Sequence, residues 1–170
     1  MVKNQIIDYF KNSKFKEVLK KINFLNRFTD KKEKPEKKKK LLMFKAEVLI
    51  RDSKFPTALK VLDQALQIDV NDTAANYQKA LCLFVLRRNK EAISFIDSTI
   101  EQNKKAGKEE NFNFIVLKAG VLYSLGKKDY GTWLAKAKKL DKERAELFMK
   151  NYFAEFRQSW KQTAQRSLQV

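Results

Sequence analysis

Histidine is absent from this 170-residue chain, and cysteine occurs once, as Cys82. Without an imidazole there is no histidine general base and no histidine ligand for zinc. A single thiol excludes an internal disulfide. Its place between Leu81 and Leu83 fits a reduced side chain in apolar packing. Glycine is scarce, and Gly107, Gly120, Gly126 and Gly131 are scattered, so no Gly-rich phosphate loop exists. Only Pro35 and Pro56 interrupt the backbone donors, which suits helices with few sharp turns. No apolar run approaches the roughly 18 residues of a membrane-spanning helix. Met1 to Phe10 contains Asp8 and no continuous apolar core, so it reads as a helix of the fold and not as a signal peptide. A cleavable mitochondrial leader is the alternative there, because the first 28 residues are basic and nearly acid-free. Glu109 and Glu110 form an acidic pair, but in a Lys-rich stretch where they read as solvated. Nothing sets two acids over a shared pocket. These absences exclude most enzyme chemistries and call for no cofactor and no metal.

What the chain has in excess is positive charge. Lysine and arginine number 37 against 20 acids, a formal net charge of +17. Such a field attracts acidic partners and speeds their encounter. Nucleic acid, anionic lipid and a protein with acidic tails all fit. The alternative is that lysine only decorates the solvent faces of helices. An AT-rich genome would also favour Lys, Asn, Phe and Ile. The apolar share of 44% is ordinary, so a chain of this length can bury a core.

Residues 46–99 say the same thing twice. Ala46 and Ala80 stand 34 residues apart, as do Leu49 and Leu83, Ala58 and Ala92, Leu62 and Ile96, and Ala65 and Thr99. Each unit reads as two helices. Leu42, Ala46 and Leu49 form one apolar stripe, and Ala58, Leu62, Ala65 and Leu66 the other, at helical steps of three and four. Small residues stand where two axes must approach to about 8–10 Å.

The segment 58–69, Ala-Leu-Lys-Val-Leu-Asp-Gln-Ala-Leu-Gln-Ile-Asp, resembles the second helix of a tetratricopeptide repeat. Phe55, Ala58, Leu62 and Ala65 match that family's pattern, while Val70 stands where its Pro is usual. The next unit matches through Ala80, Leu83, Ala92 and Ile96, and departs at Asn89 and Thr99. The 34-residue length is the family's own. The resemblance implies an all-α solenoid of about four helical hairpins, at about 2–28, 37–69, 73–102 and 111–140. A basic loop at 29–40 separates the first two hairpins, and a C-terminal helix at 143–168 caps the last. In that helix Phe148, Tyr152, Phe156 and Trp160 recur every four residues. The first three cover the open end of the fourth hairpin, and Trp160 either extends the cap or anchors a partner.

In this family the first helices of successive hairpins line a groove. Carried over, that implies contact positions at Lys3, Ile7 and Phe10, at Lys40, Met43, Glu47 and Ile50, at Tyr77, Leu81 and Phe84, and at Val116, Gly120 and Tyr123. Their alternative is packing inside the repeats or under the last helix. The clamp with which some members hold a terminal carboxylate is not matched. Lys3 fits one place, but Ile7 replaces its Asn, and Met43, Phe44, Ala74 and Gln78 fill others. Lys31, Lys32, Lys34 and Lys37, Lys38, Lys39, Lys40 form a basic docking group or a solvated loop. The functional expectation is a non-catalytic adaptor or structural subunit of a multi-subunit, partly acidic assembly, with a cytoskeletal or ciliary setting as the first candidate. A nucleic-acid-associated subunit using Lys31–Lys40 and Lys136–Lys142 against phosphates is the second reading. Location in the cytoplasm, cytoskeleton or cilium goes with the first; mitochondrion and nucleus stay open.

Overall fold

The computed structural model describes residues 17, 19–22, 24 and 35–151. Within these residues every regular element is an α-helix. The six complete ones are α1 (Pro35–Arg51), α2 (Phe55–Ile68), α3 (Thr73–Val85), α4 (Asn89–Lys105), α5 (Phe112–Ser124) and α6 (Tyr130–Leu140). Residues 142–151 begin a further helical segment. The expected first helix of the chain, and the expected C-terminal helix beyond residue 151 with Tyr152, Phe156 and Trp160, lie outside the described residues. The chain divides into two compact units, 1–88 and 89–170.

In the first unit α1 packs on α2 and α2 on α3. Leu42, Ala46, Val48 and Leu49 of α1 are buried, as are Ala58, Leu59, Val61, Leu62 and Ala65 of α2. The apolar stripes read from the sequence are therefore the packed faces. Ile22 is also buried and clusters with Val48, with Leu19, Leu41 and Phe44 against the pair. That contact joins the second helix of the first predicted hairpin to α1. Pro56 stands in the first turn of α2, where its missing N–H has no helical partner. Asp72 caps α3, its carboxylate accepting the Ala75 N–H at 2.9 Å. Buried Asn76 donates to the Val70 carbonyl at 2.9 Å, which closes the turn where the family's Pro would stand.

In the second unit α4 packs on α5 and α5 on α6. Asn111 caps α5 by accepting the Asn113 N–H at 2.9 Å. Thr99, in the place of an alanine, is buried, and its hydroxyl donates to the Phe95 carbonyl at 2.9 Å. That back-bond to the preceding turn satisfies the group and lets Thr substitute for Ala. Ala145 and Phe148 of residues 142–151 pack with Ile115, Val116 and Ala137. Residues 142–151 thus pack on α5 and α6.

The repeat is written in the backbone as well as in the side chains. Ser53, Arg87 and Gly126 take the same place after α1, α3 and α5, and all are left-handed, with φ of 56°, 60° and 67°. Each turn closes alike. The N–H of the left-handed residue reaches back to the carbonyl of Ile50, Phe84 or Tyr123, and the next N–H to Leu49, Leu83 or Leu122, all at 2.8–3.0 Å. This is the Schellman arrangement, which prefers glycine because a Cβ is strained there. An ion pair repeats too. Lys79 reaches Asp63 at 2.7 Å, and Lys118 reaches Asp97 at 2.5 Å, each pairing a first helix with the second helix before it.

Two expectations follow for urea unfolding. Ser53→Gly stabilises the chain by about 0.5–1 kcal/mol, and Gly126→Ala destabilises it by a similar amount, because only φ strain changes sign. Phe148 is half-buried, so Phe148→Ala costs about 2 kcal/mol, below the full core value. Exposed Leu147→Ala stays within about 0.5 kcal/mol.

Candidate interaction surfaces

Position by position, the structure sorts the expected groove residues into two kinds. Met43 and Ile50 on α1, and Tyr77 and Leu81 one turn apart on α3, are half-buried. Glu47 pairs with Arg51 at 3.0 Å. Tyr123 is half-buried and meets Tyr130 edge to face, with ring centroids 5.1 Å apart. Phe84 is a correction. At 4% exposure its ring belongs to the core and offers no partner surface. Val116 and Gly120 are likewise buried in the second unit. Lys3, Phe10 and Trp160 lie outside the described residues.

The basic docking loop is corrected as well. The helix α1 already starts at Pro35, so Lys37, Lys38, Lys39 and Lys40 stand in its first turns and not in a loop. Pro35 stands in the first turn of α1, where its missing N–H has no helical partner. Lys37, Lys38 and Lys40 are exposed, whereas Lys39 is only 12% exposed. Its ammonium lies 2.9 Å from Asp69, 3.0 Å from Asp72 and 3.4 Å from Glu36. Asp69 is the C-cap of α2 and Asp72 the N-cap of α3. Lys39 therefore ties the start of α1 to the α2–α3 turn. Hydrogen bonds that its ammonium donates to Asp69 and then Asp72 hold its pKa well above the ordinary 10.5. Lys31, Lys32 and Lys34 lie outside the described residues.

A second surface was not foreseen. From Ala80 to Ala119 the repeat is five residues longer than from Ala46 to Ala80: α4 has 17 residues where α2 has 14, and six residues join α4 to α5 where four join α2 to α3. The longer connection leaves a cavity of about 130 Å³, wholly within the second unit. Ile100, Phe114, Ile115 and Trp133 supply its apolar lining, and Lys104 and Lys108 stand at its edge. Lys136 also lines it and pairs with Glu110. The Trp133 ring carries the Lys118 ammonium 3.7 Å from its centroid and that of Lys136 at 5.4 Å. Such cation–π contacts fix the indole. The sequence signal for this site was the extra length before Ala119 and the Gly107 stop.

Cys82 is fully buried, and burial pushes its thiol up to about 11. At neutral pH it is protonated and inert, as its apolar neighbours implied.

Helical hairpins that repeat a 34-residue pattern and a shared left-handed turn define a class, the helical-repeat scaffolds. A family model described as "Anaphase-promoting complex, cyclosome, subunit 3" matches residues 20–99. No curated protein matches the chain by sequence. Among solved structures, YrrB, described as a TPR protein with an unusual peptide-binding site, is 21% identical with a TM-score of 0.64, over 84% of this chain and 69% of its own. MamA 41-end from Desulfovibrio magneticus RS-1 is 18% identical with a TM-score of 0.64, over 94% and 91%. Pseudomonas aeruginosa pilF is 15% identical with a TM-score of 0.62, over 89% and 64%. The chain shares the helical-repeat fold of these solved structures, of which YrrB is described as a TPR protein. No helix among the described residues is long and apolar enough to cross a membrane.

The Lys39 node makes a separable prediction. Lys39→Met leaves three carboxylates facing one another and lowers the melting temperature, whereas the double reversal Lys38→Glu, Lys40→Glu barely moves it. Because the folded-state pKa is raised, the Lys39 contribution is fully present below its unfolded value near 10.5. It is lost only as pH rises through the higher folded value. Melting curves of wild type and Lys39→Met at neutral and strongly alkaline pH check both points, the gap between them closing in alkali.

Proposed function

We propose that the chain is a non-catalytic adaptor or structural subunit that binds protein partners in a larger, partly acidic assembly. The observation that carries the reading is a repeat scaffold whose half-buried Met43, Tyr77, Leu81 and Tyr123 offer apolar contact on a chain of net charge +17. Among the described residues no acid–base pair or reactive thiol accompanies them, and what they present is surface. Positive charge selects acidic partners and sets their rate of arrival. A cytoskeletal or ciliary assembly built on microtubules, with their acidic tails, is the setting we single out. The neighbour whose description names a peptide-binding site lends the same direction to this chain.

Affinity capture with the tagged full chain, at low and moderate salt and with or without nuclease, tests this. Acidic proteins are retained after nuclease and fall away as salt rises. Loss of every partner on nuclease treatment overturns the reading in favour of a nucleic-acid-associated subunit using the exposed Lys37, Lys38 and Lys40.

A further inference from the structure

Resting on that reading, we propose that the cavity at the α4–α5 junction holds an acidic peptide segment of the partner by one bulky apolar side chain. Its volume, about 130 Å³, is close to that of cavities that take up benzene. A Phe or Leu side chain is of the right size. Phe114 and Ile115 are core residues and Trp133 is pinned by two ammonium groups, so the lining is preformed. A preformed pocket avoids much of the ordering cost of binding.

Charge sets the flanking sequence of the ligand. Lys136 is neutralised by Glu110, but Lys104 has no carboxylate partner among the described residues. Lys104 and Lys108 share the rim with exposed Glu109. Asn111, the cap of α5, also lines the cavity, so the positive end of a 13-residue helix opens on it. A carboxylate beside the inserted side chain is thus met by Lys104 and by that helix end. A phosphate chain without an apolar group would leave the lining unused, which separates a peptide from a nucleic acid. The groove positions Met43, Tyr77 and Leu81 lie in the other unit, so this is a distinct site.

The test is an amide-resolved NMR titration of the full chain with the acetylated peptide Glu-Asp-Phe-Asp-Glu. Controls are its Phe-to-Ala version, the basic peptide Lys-Lys-Phe-Lys-Lys, and a short single-stranded oligonucleotide. The Phe-bearing acidic peptide shifts the Trp133 indole N–H and the amides of residues 103–111. The Ala and Lys peptides bind about tenfold more weakly. Lys104→Glu weakens binding about tenfold as well. Asn103→Trp, which fills the cavity from its half-buried edge, removes it; the melting temperature of each variant confirms folding. Equal binding of the Ala or Lys peptide, shifts elsewhere on the chain, or a response to the oligonucleotide alone overturns the proposal. If capture of acidic proteins persists undiminished in Lys104→Glu and Asn103→Trp, the cavity is not the anchor and the adaptor reading stands without it.

Discussion

Everything in this fold depends on how closely the two helices of a hairpin can approach. Ala46 on α1 and Ala58 on α2 are both fully buried where the helices pack, and Ala119 and Ala137 are buried where α5 packs on α6. A side chain larger than a methyl at these points would push the axes apart and open voids along the stripe on either side. Once the spacing is fixed, the rest is constrained in turn. The connection must be short, so it closes as a Schellman turn and forces a left-handed residue at the same place after α1, α3 and α5. Ser53 and Arg87 accept that strain while Gly126 avoids it. The same register brings Lys79 to Asp63 and Lys118 to Asp97. Exposed pairs of this kind add little stability singly. Their recurrence marks a repeated geometry more than a source of strength.

Most of this architecture was legible because periodicity and caps are local signals. The pattern of Ala46 with Ala80 and Leu62 with Ile96 located the hairpins, and Asp72, Asn111 and Pro56 marked helix starts that the structure places there. What was missed depends on distance across the fold. The carry-over from the family resemblance set Phe84 on a contact face, yet neighbouring positions on a helix differ by about 100°. A few tens of degrees decide between groove and core. Lys39 looked like its neighbours Lys38 and Lys40 because a run of lysines carries no sign of which one meets Asp69, a residue 30 positions away. Trp133 gave no pattern at all. Its role arises from the extra length between α4 and α5, which the sequence revealed as a number of residues but not as a cavity.

Charge completes the argument. Many of the acids are already engaged within the fold: Asp69 and Asp72 with Lys39, Asp63 with Lys79, Asp97 with Lys118, Glu146 with Lys138. Among the described residues these acidic side chains serve as cement, while Lys37, Lys38, Lys40, Lys60, Lys90 and Lys104 are exposed. The surplus then acts twice. It repels itself and so weakens the compact state, and it draws acidic partners from beyond contact distance. Salt screens both effects over a length of about 10 Å at 0.1 M. Rising ionic strength therefore relieves self-repulsion in the folded chain while loosening its hold on an acidic partner. An acidic partner bound at the surface offsets the same repulsion that salt would screen, so partner binding and folding stability are linked through one excess of charge.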